Sequence, residues 1–184
     1  ERHVRRSEAR RRLAADLTRD ALRDLLTGLP NRTLFLERLH QAARRASRRD
    51  AHMFAVLIVD PYEFGEANRV HGRDGGDRAL VEVARRLEGC IRGVDTVARL
   101  GGDDFAILLD GMRDVSDPTR VAGRVHEALA KPIRLEKDLV LGSSIGIAIS
   151  LTGYQDPEDL VRDAQKALVR AKTEGPGTHQ MFDP

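Results

Sequence analysis

The sequence predicts an α/β (α+β) domain: one mixed sheet with helices packed on it. Three observations predict it. The run "FAVLIVD" (54–60) is rich in β-branched residues and reads as a buried strand, and "LVLGSSIGIAIS" (139–150) reads as another strand. "TVARL" and "FAILL" flank "GGDD" in the manner of a β-hairpin. Amphipathic helical patterns lie before, between and after these segments, giving the order helix, strand, helix, hairpin, helix, strand, helix.

In chain order, residues 1–22 read as an exposed N-terminal connector helix. Leu13, Leu17 and Ala21 form a narrow apolar stripe among arginines that suits a coiled-coil link to an upstream module, and the arginines read as a solvated face. Gly28, Pro30 and Asn31 then mark a turn, and Thr27 or Asn31 is placed to cap a helix through "TLFLERLHQAARRA". The strand at 54–60 ends on an acid, Asp60. "RALVEVARRLEGCI" sets Leu80, Ala84, Leu87 and Ile91 on one helical face. After the hairpin come a short helix, "TRVAGRVHEALA", the strand at 139–150, and a last helix with Leu160, Ala164, Leu168 and Ala171 in register.

Composition narrows the function classes. With 184 residues, 41% hydrophobic and 33% charged, the chain suits about one domain with a single core. No apolar run approaches the ~18 residues of a membrane span, and no signal-peptide apolar region follows the Arg-rich start. The lone Cys90 excludes an internal disulfide and suits a reducing, cytoplasmic setting. A first residue that is not Met points to a piece of a longer protein. Net charge is +2 with no Trp, and no basic patch interleaved with aromatics exists, so nucleic acid is not an expected partner.

The hairpin poses the chemical question. Gly101, Gly102, Asp103 and Asp104 are residue types that any tight turn favours. They are also what a phosphate and metal site needs, since glycines let backbone approach a phosphate while carboxylates hold Mg²⁺. Asp60 favours the second reading. An acid ending a buried strand packs poorly there, and a mixed sheet can bring it beside the hairpin tip as a second ligand source, an arrangement suited to in-line nucleotidyl transfer.

"DLLTGLPNR" (24–32), "VDPYEFGEANRVHGRDGGD" (59–77), "RLGGDDF" (99–105), "SSIGIAIS" (143–150) and "AQKALVRAKTEG" (164–175) together resemble the GGDEF family, the diguanylate cyclases, over residues 23–178. The ordered set is far more specific than any one motif. The resemblance implies a palm-like nucleotidyl cyclase fold, with a central mixed sheet of about five strands flanked by helices. It also implies a homodimer in which each protomer holds GTP with Mg²⁺ (or Mn²⁺) and two GTP condense to cyclic di-GMP. Residue by residue, it assigns metal ligation to Asp60, the Pro61 carbonyl, Asp103 and Asp104, with Asp104 at the position that activates the 3′-hydroxyl. Asn68 and Asp77 match the guanine readers. Phe64, Gly65, Gly101 and Gly102 match positions lining the nucleotide, and Lys172 matches the lysine meeting the terminal phosphates. "RGVD" matches the inhibitory cyclic di-GMP motif through Arg92 and Asp95.

The departures from the family pattern bear on activity. Asp104 stands where active members carry Glu, Gly65 where they carry a phosphate-binding Lys, and Pro176 where they carry Arg; Tyr62 replaces an acid and Arg73 a common His. Shortening an acid by one methylene misplaces it by about 1 Å, which can cost on the order of 10²-fold in rate. The sequence therefore points to a diguanylate cyclase domain of reduced activity, or to a degenerate module that binds GTP or cyclic di-GMP and regulates a neighbour. "HQMFDP" (179–184) resembles the strand and exit that lead to a downstream EAL phosphodiesterase domain, with a sensor expected upstream.

Overall fold

The computed structural model describes residues 20–48, 51–62 and 64–184. Most of the expected connector helix, residues 1–19, lies outside them. Four helices, α1 (Arg32–Arg48), α2 (Phe64–Glu88), α3 (Asp117–Leu129) and α4 (Pro157–Glu174), pack on one five-stranded sheet. Its strands are β1 (Met53–Tyr62), β2 (Thr96–Gly101), β3 (Asp104–Met112), β4 (Gly142–Ile149) and β5 (Thr178–Met181), in the order β2-β3-β1-β4-β5. Central β1 runs antiparallel to β3 and β4, and β5 joins β4 in parallel. The mixed sheet and the element order match the sequence expectation, as does the cap: Asn31 Oδ1 accepts from Leu34 N at 3.1 Å.

Period-two alternation divides β1 between two cores. Ala55, Leu57 and Val59 meet Leu80, Val83 and Leu87 of α2 and Val121, Val125 and Leu129 of α3. Phe54, Val56 and Ile58 meet Phe35 and Leu39 of α1 and Leu160, Ala164 and Leu168 of α4. Each fully buried Leu or Phe contributes roughly 1.5–3 kcal/mol, so a strand buried on both faces fixes the position of whatever follows it. Asp60 follows it.

Gly146 sets the height of α4. A Cβ there would collide with the Ala164 carbonyl and the Leu168 amide, so only glycine lets this helix rest on β4. That close approach carries Lys172, one turn beyond Leu168, towards the end of β1.

One helix differs from its sequence pattern. The apolar periodicity covers 78–91, whereas α2 begins at Phe64 and is broken at Gly72 (φ 68, ψ −179). The first part buries only Phe64 and Ala67 among its side chains. With Asn68 and Arg69 exposed, it shows no amphipathic stripe to read.

Candidate active site

The tip of the β2–β3 hairpin is made by Gly102 and Asp103, with Gly101 paired to Asp104. Gly101 (φ 147) and Gly102 (φ 54) both occupy backbone conformations that side-chain-bearing residues rarely adopt, so the turn depends on them. The β1–β3 register ends with Val59 opposite Phe105, which brings Asp60 beside Asp104. One carboxylate oxygen each from Asp60, Asp103 and Asp104 lies within 4.8 Å of the others. Asp104 is exposed as a residue, yet its carboxyl is pushed above the usual carboxylate range, first by local desolvation and then by the charges of Asp103 and Asp60, with Lys172 opposing. Lys172 Nζ forms an ion pair with Asp60 Oδ2, and its ammonium is held above its ordinary value, chiefly by that hydrogen bond. The sheet and α4 thus assemble at one point residues that stand 112 positions apart in the sequence, from Asp60 to Lys172.

Beside the carboxylates opens a pocket of about 570 Å³, lined among others by Phe64, Gly65, Asn68, Arg73, Asp77 and Gly102. Gly76 shapes it, because a Cβ there would collide with Asn68 Oδ1. Position 65 offers no side chain, and the space where its Cβ would stand is open to 4 Å. Arg99 lines the same pocket and was not singled out from the sequence. Its guanidinium donates to the Gly102 carbonyl at 2.8 Å and to Asp24 at 3.1 and 3.2 Å, tying the hairpin tip to the turn before α1. Burial would raise the Asp24 carboxyl, but hydrogen bonds from Thr27 and Arg99 outweigh it and hold it low. The signal was the acid opening "DLLTGLPNR", readable only with its distant partner.

Arg92 and Asp95 lie at the hairpin's other end. The Asp95 side chain is 1% exposed. Its oxygens accept from Arg92 N, Nε and Nη2 at 3.0–3.1 Å and from Asp110 N at 3.1 Å. Arg92 is half open to solvent and borders a cavity of about 320 Å³ that also presents Arg113, Arg120 and Arg124. Asp95 is thereby a buried anchor of the turn, and Arg92 is the member of the pair that a ligand can reach.

A family model for the diguanylate cyclase, GGDEF domain, matches residues 21–178. The chain belongs to the GGDEF family. Against the diguanylate cyclase TpbB of Pseudomonas aeruginosa it is 38% identical over 171 residues, covering 92% of this chain and 39% of that protein. Against the bifunctional diguanylate cyclase/cyclic di-GMP phosphodiesterase MucR of the same organism it is 37% identical over 169 residues, covering 91% of this chain and 24% of the relative. The chain therefore spans well under half the length of these relatives. The solved GGDEF domain of TpbB superposes with a TM-score of 0.83 at 37% identity, covering 88% of this chain and 94% of that one. The coiled coil and GGDEF domain of DgcB from Caulobacter crescentus reaches a TM-score of 0.90 at 22% identity, with 97% and 95% covered, a likeness of fold. The palm-like α+β architecture is that of GGDEF domains. Among the described residues no helix is long and apolar enough to cross a membrane.

Proposed function

We propose that this GGDEF domain binds GTP with Mg²⁺ and, as a homodimer, condenses two GTP to cyclic di-GMP at a lowered rate. The observation that carries the reading is the convergence of Asp60, Asp103 and Asp104, with Lys172 against them, at the rim of the pocket lined by Asn68 and Asp77. An all-oxygen donor set suits a hard divalent cation, and Asp60, Asp103, Asp104 and the Pro61 carbonyl would hold it. When bound, Mg²⁺ neutralises the triphosphate charge and makes the attacking hydroxyl more acidic.

The protein's own contributions are positional. Asp77 accepts from the guanine N1–H and amine while Asn68 bonds the base's polar edge. Gly101 and Gly102 leave room for phosphate against backbone, and Lys172 turns from Asp60 to the terminal phosphates. In each half-reaction the 3′-oxygen of one GTP bonds to the α-phosphorus of the partner's GTP, pyrophosphate leaves and the hydroxyl proton is lost near Asp104. Two such steps close the ring. The shorter Asp104, the open space at Gly65 and the Pro176 in place of Arg weaken the chemical step more than guanine recognition. Those losses also favour a second reading, a GTP-binding module that regulates an adjoining EAL domain. We further infer that the arginine-lined cavity at Arg92 takes cyclic di-GMP, its guanidinium leaving Asp95 to clamp phosphate or guanine.

The test is incubation of the purified chain with GTP and Mg²⁺, followed by chromatography. Slow appearance of pppGpG and cyclic di-GMP, absent in Asp60→Asn, is expected. GTP binding with no product in any divalent cation would replace the cyclase with the regulatory module.

A further inference from the structure

The pocket beside the carboxylates holds a cation that the family pattern does not supply. Gly72, with its positive φ, interrupts α2, and Arg73 opens the second half of the helix at the pocket wall. Asp77 lies four residues on, on the same helical face, and Asn68 reaches the pocket from the first half. An Arg and an Asp at this spacing are neighbours on the helix, close enough to pair, although base before acid is the weaker order for it. Among the described residues, however, no hydrogen bond or ion pair to the protein satisfies Arg73, Asp77 or Asn68. Other exposed arginines, Arg78, Arg134 and Arg170 among them, also lack a side-chain partner among the described residues, but of these only Arg73 lines the pocket, whose other arginine, Arg99, is already taken by Asp24 and the Gly102 carbonyl.

The unsatisfied set is a donor fork, an acceptor pair and an amide along one wall. Guanine presents the complement along one edge: acceptors at N7 and O6, then donors at N1–H and the exocyclic amine. We propose that Arg73 is a specificity-determining residue for guanine, its guanidinium donating to O6 and N7 while Asp77 accepts from N1–H and the amine. This rests on the GTP reading above and adds a residue to it. Adenine meets the same wall badly, since its 6-amine would face the guanidinium and its unprotonated N1 would face the carboxylate. Arginine suits the task because its planar fork spans two acceptors, which neither Lys nor a single imidazole nitrogen can do.

The test is calorimetric titration of the wild-type chain, Arg73→Ala and Arg73→Lys with GTP, GDP and 7-deaza-GTP, with Ca²⁺ in place of Mg²⁺. The wild type is expected to bind 7-deaza-GTP several-fold more weakly than GTP. Arg73→Ala is expected to lose about tenfold or more in affinity for GTP and GDP alike, as charge-assisted bonds imply, and to treat GTP and 7-deaza-GTP equally. Arg73→Lys keeps the charge and is expected to recover little of the discrimination. Coincident thermal melts of the three proteins show that an exposed side chain was removed without unfolding. If Arg73→Ala keeps wild-type affinity, or keeps the preference over 7-deaza-GTP, the inference is overturned while guanine-nucleotide binding stands. A loss much larger for GTP than for GDP assigns Arg73 to phosphate and also overturns it. A wild-type chain that binds no guanine nucleotide overturns this inference together with the reading beneath it.

Discussion

The tip and the base of the β2–β3 hairpin both gather aspartates, and they treat them in opposite ways. At the base, Asp95 is buried with its oxygens taken by Arg92 and by the backbone of Arg92 and Asp110, while Asp110 is held by Arg45 and His52. At the tip, Asp103 and Asp104 crowd Asp60, and Lys172 is paired to Asp60. Satisfied acids stabilise a fold. Like charges gathered without equal compensation destabilise it, and a structure retains them where an incoming cation completes the set. The same residue type is bonded into the fold at one end of the hairpin and left with little compensation at the other.

The largest expected effect lies at the base. Asp95→Ala strands the Asp110 and Arg92 amides and removes the partner of Arg92, and is expected to cost about 2–3 kcal/mol by urea denaturation. Loss of cyclic di-GMP binding in that variant would then be confounded by instability, so Arg92→Lys is the cleaner probe of the cavity. It should fold normally and lose most of the affinity, as read by calorimetry. Wild-type affinity in Arg92→Lys would remove the ligand role from this end.

Next in size is Gly146→Ala, whose methyl would push α4 from β4. Overpacking of this kind costs about 1–3 kcal/mol, and it moves Lys172 away from Asp60. GTP affinity is expected to fall along with the melting temperature. A stability loss with unchanged nucleotide affinity would detach α4 from the site.

At the tip, the expected effect on the metal-free protein is small and of opposite sign to that at the base. Because the folded-state pKa of Asp104 is raised, its contribution to stability falls as pH rises through the ordinary carboxylate value and on through the raised one. Asp104→Asn is therefore expected to leave the metal-free protein at neutral pH as stable as wild type or slightly more so. A clear loss of stability would make the tip structural like the base. Asp104→Glu, which restores reach, is expected to raise product formation with little change in GTP affinity.

A pH profile must also allow for a group outside both sets of aspartates. His126, bonded to Ser143 at 2.7 Å and stacked on His179, is held down to about 4 by burial and then by His179. Its stabilising contribution is complete above its unfolded value of roughly 6.5 and is lost as pH falls towards 4. Denaturation midpoints should decline over that window and decline less in His126→Asn.

The fold was legible because its strands are buried runs between turn signals and its helices, apart from the first half of α2, carry apolar stripes. That first half was not legible: a helix facing a pocket rather than a core has no periodicity, and its break at Gly72 depends on a backbone angle. At the site, Asp60 announced itself by ending an apolar strand, and the hairpin acids by their glycines. Asp95 matched a ligand motif but proved buried and fully bonded, which no spacing reveals. Arg99 was hidden for the converse reason, and Arg73 showed in the sequence only as a replacement for a common His, with no role attached. An arginine's role depends on whether a partner from elsewhere in the chain has claimed it.

The claim that the aspartates at the tip serve a divalent cation and GTP, while Asp95 at the base serves the fold, meets its most direct test at the tip, in one pair of melting curves. The wild-type chain and Asp60→Asn are each unfolded thermally with and without Mg²⁺ and GTP. The expected result is a ligand-dependent rise in wild type that is absent from Asp60→Asn, with the two metal-free proteins melting at nearly the same temperature. Equal ligand-dependent rises in both proteins, or a much lower metal-free melting temperature for Asp60→Asn, would contradict it.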